Sequence, residues 1–573
     1  MQQASMQANR AQLRIHDISL ILLMGVLAAC GLIYEYLLSH YAGRILGAIE
    51  TTLFAMIGVM IVSMGVGSFY AKFVRCAFTG LAVLEVSIGL LGALAVLIMA
   101  FIFSAAYVLP TSLQQIYGLD PAILIHGGAV SAFNIIAQAA PFLCGFILGF
   151  MIGMEIPLIA RIRQKIHGTY LEHNVGTIYG ADYIGAGVGA ALWILVCLKL
   201  PIMVAAIGTA TINLSAGAFF LWRYQDDIRG VPLLWVCHGA LAIVLIILGL
   251  TGQSWLQSLN NMLFQDKVAY SLSTPFQQLT ITQRVFGQGL PKVTSLFING
   301  RLQFSSSDEQ VYHSMLTYPA LLASAKTDRV LIIGGGDGLA LRDVLQWNPK
   351  QVTLIDLDPA IITLFSGQDK NAPADLSQYL LELNQRAFLD PRVTLVLGDA
   401  LLKVESLISK RQVFDTIIVD LPDPNHPDLN NLYSDYFYAK LGELLSGDGA
   451  IGVQSGSPYH SKKAFVSVGK TMQKSGFITE QYHTNVPTFG EWGWTIGVKH
   501  GRRASRRIMQ ADVLPVQHHW ISKDQLLAAF VFAPSYYLSS DDVKANELGS
   551  HHIYQYYRDA WQQEGGVFNA NEG

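Results

Sequence analysis

Cysteine is scarce: the 573-residue chain has five (Cys30, Cys76, Cys144, Cys197 and Cys237), none of them at a C-x-x-C spacing. That excludes a disulfide scaffold and gives no support to a zinc site, so no metal is expected. Charge is scarce as well. Asp, Glu, Lys and Arg make up 14% of the chain, against about 25% in ordinary soluble domains. The shortage is local: residues 1–252 carry 21 charged side chains and the remaining 321 residues carry 58. A hydrophobic part therefore precedes a globular one. Net charge is +1 in the first and −4 in the second, which excludes a nucleic-acid protein with a broad basic face and leaves small cationic ligands open.

Seven segments (18–38, 52–71, 79–103, 135–157, 175–198, 201–222 and 231–251) each offer the roughly 20 apolar residues that a transmembrane helix needs. Residues 1–252 thus read as a polytopic domain in a lipid bilayer. Leu27-Ala-Ala-Cys30 resembles a lipoprotein cleavage site, but apolar sequence runs on to Leu38. The small residues of Gly180–Gly189 allow close helix contact. Glu35, Glu85, Glu155 and Asp182 lie in or beside these runs, where a carboxylate pairs with a partner such as Arg44 or Arg161, caps a helix, or lines a cation path. Arg10 and Arg14, Lys72 and Arg75, Arg161, Arg163 and Lys165, and Arg223 and Arg229 mark one side as cytoplasmic. With seven spans the globular half would then lie outside. The uncharged stretch Pro121–Met154 is long enough for a helix and a re-entrant piece, which would change that count.

The globular half opens with short β-like runs from Lys267 to Phe304 and an Asn299-Gly300 hairpin signal. This predicts a small antiparallel β domain over 253–318, with Asp308 opening a helix from Glu309 to Ala323. Strand-like runs begin at Arg329, Gln351, Arg392, Phe414 and Ala450, separated by helical segments. They predict a doubly wound, Rossmann-like α/β domain over 319–510 with its ligand at the strands' carboxyl ends. Residues 511–573 read as a C-terminal tail with aromatics such as Trp520, Phe530, Tyr536 and Trp561. The basic cluster before it (Arg502, Arg503, Arg506, Arg507) is a solvated patch or touches anionic lipid.

Chemistry gathers at the predicted strand ends. Gly334-Gly-Gly336-Asp337-Gly338 follows the first strand, where glycines permit a tight turn and close approach to a ligand. No Gly-Lys-Ser/Thr follows, so phosphate-loop chemistry is not expected. Asp356 ends the second strand, where an acid commonly binds ribose hydroxyls, and Asp399-Ala400 ends the third, within reach of an adenine amino group. The fourth ends in Asp420-Leu421-Pro422-Asp423-Pro-Asn-His-Pro427, a stiff loop whose two carboxylates form, with Asp337, a negative cup suited to an amine. Asp337 would repel the carboxylate of S-adenosylmethionine, which disfavours a methyltransferase and favours a nucleoside sulfonium whose tail carries only an amine.

Together with Thr274-Pro-Phe-Gln277, Asn299-Gly-Arg-Leu-Gln303 and Asp308-Glu-Gln-Val-Tyr312-His313, these motifs resemble the polyamine aminopropyltransferases, specifically spermidine synthases, over about residues 265–500. The hydrophobic half resembles the multi-pass region of bacterial membrane-fused members. The resemblance implies transfer of the aminopropyl group of decarboxylated S-adenosylmethionine, a co-substrate rather than a cofactor, to putrescine. The products would be spermidine and methylthioadenosine. It places Gln277, Gln303, Gly334, Gly336, Asp356, Asp399, Ala400 and Pro427 around the nucleoside, and His313, Asp337 and Asp420 through Asp423 around the amine. Asp420 would accept the proton, assisted by Tyr312. Departures from the family pattern at Asp356, at Leu421-Pro422 and Asn425-His426, and in Pro487–Trp494 bear on the acceptor. There Glu491 would meet the distal ammonium or stand as a solvated charge. A different acceptor amine, or a polyamine transporter with a synthase-like sensing domain, is the alternative. A homodimer or homotetramer is expected, in the cell membrane with the catalytic half cytoplasmic.

Overall fold

The structure, a computed structural model, describes residues 2–46, 49–117, 128–167, 174–264, 266–287, 292–511, 514, 521–538 and 540–563. It divides into two compact units, Met1–Gln265 and Asp266–Gly573.

Among the described residues of the first unit, seven helices are long and apolar enough to cross a membrane. They are α1 (Gln2–Leu46), α2 (Ile49–Tyr70), α3 (Ala77–Tyr117), α4 (Gly128–His167), α5 (Asn174–Leu195), α6 (Ile202–Arg223) and α7 (Val231–Asn261). Each coincides with one expected segment. Because α7 continues to Asn261, the boundary falls later than residue 252. Of the stretch 121–154, residues 121–127 lie outside the described residues and the remainder is continuous α4, despite Pro141.

Glycine sets the closest packing in this unit. A Cβ on Gly185 would stand 2.1 Å from the Gly25 carbonyl oxygen and one on Gly189 would stand 2.5 Å from that of Ala29. Backbones of α1 and α5 therefore touch, as small-residue spacing predicts. Gly153 brings α4 against α2 in the same way, 2.1 Å from the Met64 oxygen. The Glu85 carboxylate accepts from Asn213 Nδ2 at 2.9 Å. Arg161 instead donates to the Ala71 carbonyl at 3.0 Å. Large apolar side chains stand on the outer faces, Phe69 78%, Ile184 72% and Leu250 79% exposed.

The second unit begins with an antiparallel meander, β1 (Lys267–Ser273), β2 (Gln278–Arg284), β3 (Val293–Ile298) and β4 (Arg301–Ser305). Asn299 and Gly300, both at positive φ, close its last hairpin. Then follow α8 (Glu309–Ala323), β5 (Arg329–Gly334), α9 (Leu339–Leu345), β6 (Gln351–Asp356), α10 (Pro359–Phe365), α11 (Ala374–Leu383) and β7 (Val393–Leu397). The chain continues through α12 (Ala400–Ser409), β8 (Phe414–Asp420), α13 (Pro427–Asn430), α14 (Asp435–Leu444), β9 (Leu445–Gly456) and α15 (Lys462–Lys474). The hairpin of β10 (Ile478–Val486) and β11 (Gly490–Val498) precedes α16 (Ala504–Gln510), α17 (Lys523–Ala528) and α18 (His552–Gln563).

Strand order in the larger sheet is β10-β11-β9-β8-β5-β6-β7. The five expected strands are parallel, and β11 and β10 extend them antiparallel at one edge. Runs such as Val330–Ile333 are buried on both faces, as a parallel strand covered by helices requires. From β5 the chain winds outward through β6 and β7, then restarts beside β5 with β8. That reversal leaves a crevice at the carboxyl ends of β5 and β8.

Two expected boundaries dissolve. Leu279, Ile281 and Phe304 of the meander share one apolar core with Leu316 of α8 and Val330 and Ile332 of β5. The small sheet buries its apolar face there, so it is not separate from the Rossmann-like part. The tail also packs inward: Ile553 and Tyr557, one turn apart on α18, join the core around Ile333 and Val419. Trp520 lies outside the described residues. Arg507 is not a free solvated charge, since it donates to the Ala323 and Asp448 carbonyls at 3.0 and 2.9 Å.

Candidate active site

The turn after β5 is glycine because of geometry. Gly334, Gly335 and Gly338 have φ of 80°, 69° and 77°, and a Cβ on Gly334 would lie 2.0 Å from the Asp420 carbonyl oxygen. A Cβ on Gly336 would meet Asp356 Oδ2 at 2.7 Å. The turn is thus drawn tight against the ends of β8 and β6, and it sets Asp337, Asp356 and Asp420 around one crevice.

On one side of that crevice, Tyr312 of α8 donates its hydroxyl to Asp420 Oδ1 at 2.9 Å. Burial raises the Asp420 carboxyl, Asp337 adds to this, and His313 and the Tyr312 bond oppose it, leaving it pushed up to about 6. Burial likewise raises Asp337, against the opposing His313 charge. Burial and the adjacent Asp420 hold Tyr312 far above the usual phenol range, so it stays a donor. His313 Nδ1 faces the Glu309 carbonyl at 2.7 Å and Glu309 Oε2 at 3.0 Å. Burial disfavours its charge, but Glu309, Asp337 and Asp420 outweigh burial and lift it to about 9. These acids therefore favour the imidazolium form of His313.

Asp423 is placed by its loop. Tyr433 donates to the Pro422 carbonyl at 2.9 Å, and Gln454 Nε2 donates to the Leu421 carbonyl at 3.1 Å and to Asp423 Oδ1 at 2.8 Å. Pro427 starts α13 at the end of this loop. Glu491 sits on β11, where its carboxylate pairs with His483 of β10; it is not a solvated charge, and an ammonium reaches it only in competition with that histidine. Asp308 opens α8 without capping it. Its carboxylate instead holds the backbone N–H and hydroxyl of Thr488 in the β10–β11 turn.

On the other side of the turn, Asp356 Oδ1 accepts from the Asp358 N–H at 2.9 Å. Burial, reinforced by Asp358 and Asp337, raises the Asp356 carboxyl to about 6. Gln277 does not stand alone: its Nε2 donates to Asp358 Oδ2 at 3.0 Å, beside the Thr274 hydroxyl at 2.8 Å. The β1–β2 turn is thereby pinned to the end of β6. Asp399 caps α12, accepting from Leu402 N–H at 3.1 Å, and Ala400 begins that helix. Gln303, half-buried on β4, donates weakly to the Arg301 and Leu302 carbonyls at 3.3 and 3.4 Å.

Residues 309–507 match the Spermine/spermidine synthase domain. The whole chain is similar to the polyamine aminopropyltransferase of Shewanella oneidensis, 52% identical over 551 residues and 96% of each chain. The chain belongs to the polyamine aminopropyltransferase family. Polyamine aminopropyltransferase 1 of Streptomyces coelicolor is 32% identical over 95% of this chain and 94% of its own. Both alignments run through the hydrophobic half. A spermidine synthase solved in complex with the transition-state analogue AdoDATO is 22% identical, covering 48% of this chain and 89% of that one, with a TM-score of 0.40.

Sequence reasoning missed a second layer of this aminopropyltransferase. Behind His313, Glu309 takes a two-pronged bond from Arg342 at 2.7 and 3.0 Å, and Arg342 Nε donates to Asp343 at 2.8 Å. Burying such a network without its partners would cost several kcal/mol. Glu309 lay inside a noted motif, yet only its burial shows its part. Asp358, followed by proline, carried a helix-start signal. Tyr557 donates to Asp423 Oδ2 at 3.0 Å from α18, and nothing local in the tail foretold that contact.

Proposed function

We propose that the aminopropyltransferase uses putrescine as acceptor and decarboxylated S-adenosylmethionine as donor, producing spermidine and methylthioadenosine. The observation that carries this reading is the Tyr312–Asp420 hydrogen bond at 2.9 Å, set beside Asp337 at the crevice. A carboxyl raised to about 6 is ionised at neutral pH yet basic enough to take a proton from an ammonium, close to the best compromise for a general base. Once the proton passes to Asp420, the amine lone pair attacks the aminopropyl carbon next to the sulfonium. The C–N bond forms as the C–S bond breaks, and sulfur keeps the electron pair as a neutral thioether. Alignment of nitrogen, carbon and sulfur supplies much of the rate.

Asp337 supports the choice of donor, because its carboxylate would repel the α-carboxylate of ordinary S-adenosylmethionine. In this reading Asp356 holds the ribose, Asp399 and Ala400 meet the adenine, and Gln277, Gln303 and Pro427 line the nucleoside end. No further cofactor is required. Exposed side chains such as Phe69, Ile184 and Leu250 support a bundle sheathed in lipid, and both substrates are cytosolic metabolites, which supports a cytoplasmic catalytic unit.

Purified full-length protein given decarboxylated S-adenosylmethionine and a panel of diamines and triamines should release methylthioadenosine fastest with putrescine. Release with no amine in the panel would overturn the reading. A second function for the bundle, polyamine transport, is favoured by Glu85, Asn213 and His238, which three different helices bury together: Gly217 of α6 leaves space where a Cβ would be 2.9 Å from Glu85 and 3.1 Å from His238 Nε2. Amine uptake by proteoliposomes without donor present tests it, and a leak-level rate would remove it.

A further inference from the structure

Helix α18 lies beyond the matched domain, which ends at residue 507, yet it reaches into the amine side of the crevice. Side-chain hydrogen bonds hold it there. Asn546 donates to the Asn430 and Tyr433 carbonyls at 3.0 and 3.3 Å and accepts from the Ile553 N–H at 3.3 Å. Tyr554 N–H meets Asn430 Oδ1 at 3.3 Å. These bonds fasten α18 to the segment that follows the Asp420–Pro427 loop. Ile553 is fully buried and Tyr557 is 5% exposed.

From that seat Tyr557 does two things. It donates to Asp423 Oδ2 at 3.0 Å, so that with Gln454 on Oδ1 both carboxylate oxygens are engaged. Its own oxygen accepts from Arg301 Nη1 at 3.2 Å, and the guanidinium lies 5.8 Å from the Tyr557 ring centroid. Asp420, by contrast, accepts from Tyr312 alone among the described residues. The two carboxylates of the loop are therefore unequal: Asp420 is left with capacity for the reacting nitrogen, whereas Asp423 is the first link in a chain that ends on a fixed positive charge.

We propose that Tyr557, backed by Arg301, is a specificity-determining residue that closes the far end of the amine groove and limits the acceptor to a short diamine. This rests on the aminopropyl-transfer reading of the same pocket. The far ammonium of a diamine meets Asp423, which the Tyr557 hydroxyl holds in place. A triamine carries a further ammonium past that point, where the Arg301 guanidinium repels it and the Tyr557 ring obstructs it. Specificity of this kind is made by repulsion as much as by attraction.

The test uses the full chain, as wild type, Tyr557→Phe and Arg301→Gln, with decarboxylated S-adenosylmethionine and either putrescine or spermidine as acceptor. Tyr557→Phe keeps the ring and removes only the hydroxyl. It should raise KM for putrescine roughly tenfold, the size of one hydrogen bond to a charged group, while kcat and KM for the donor stay within twofold. Arg301→Gln should raise kcat/KM for spermidine relative to putrescine about tenfold. A purely structural role for Tyr557 would instead move both KM values, or kcat, together. If the wild type uses putrescine and both variants keep its putrescine-to-spermidine ratio within twofold, this inference is overturned while the transfer reading stands. If the wild type releases no methylthioadenosine with any amine, the transfer reading falls and takes this one with it.

Discussion

Replacing Asp420 with asparagine should make the protein more stable and nearly inactive. The carboxyl sits at about 6 in the fold against 3.8 as its ordinary value, with burial as the main cause. Two units at about 1.4 kcal/mol each amount to roughly 3 kcal/mol by which folding opposes ionisation of this group. The sign follows from where the proton is held more tightly. The folded state binds it better, so the penalty is fully present above pH 6, shrinks between pH 6 and 4, and is gone below the unfolded value. Asparagine cannot ionise and keeps an oxygen for the Tyr312 hydroxyl, so it resembles the protonated acid. Asp420→Asn should therefore gain up to about 3 kcal/mol over wild type at pH 8 relative to pH 4, read as a difference between their unfolding midpoints that widens with pH. Turnover, followed as methylthioadenosine release, should fall roughly 10²–10⁴-fold, the usual worth of a general base. A stability gap that does not widen with pH would show that Asp420 is not strained by burial. Turnover within tenfold of wild type would show that another group takes the proton.

Gly334→Ala should be severely damaging, because its φ of 80° disfavours any side chain and the new methyl would lie 2.0 Å from the Asp420 carbonyl. The expected readout is a midpoint lowered by several degrees together with lost transfer, and a variant with wild-type melting and activity would refute the close approach of β5 and β8. His313→Gln removes a cation that opposes protonation of Asp420, so the acid limb of kcat/KM, expected near pH 6 in the wild type, should move to higher pH. An unmoved limb would mean that His313 is not the charge facing Asp420.

How far the sequence could be read depended on whether a feature was local. The runs Val330–Ile333 and Ile417–Val419 are apolar on both faces, which only a covered parallel strand tolerates, and they fell where expected. Gly334–Gly338 and Asp420–Pro427 were legible for the same reason: positive φ and stiff proline loops leave residue-type signatures. The antiparallel β10–β11 edge was not, because Pro487–Trp494 mixes turn residues with tryptophans and its pairing to β9 is a long-range choice. Long-range partners explain the remaining gaps too. Asp308 opens a helix in the sequence yet serves Thr488, 180 residues away, and Gln277 finds its partner in Asp358. Glu491 offered a free charge on paper and finds His483 through the hairpin register Asn485 to Glu491. Tyr557 is the extreme case, one of four aromatics on an amphipathic helix, and its meaning depends on where α18 docks.

The imidazolium held by His313 among the pocket acids changes what substrate binding means. A site that carries its own counter-cation does not simply receive another; an incoming positive charge competes with protons already bound. A cation entering beside Asp337 and Asp420 would lower their affinity for protons, and that of His313 with them. Protons must leave for solvent as the amine enters. Acceptor affinity is then coupled to the acidity of the compartment, and the heat of binding carries a contribution from whichever buffer receives those protons. A more acidic medium would loosen the hold on a cationic substrate without any change in the fold.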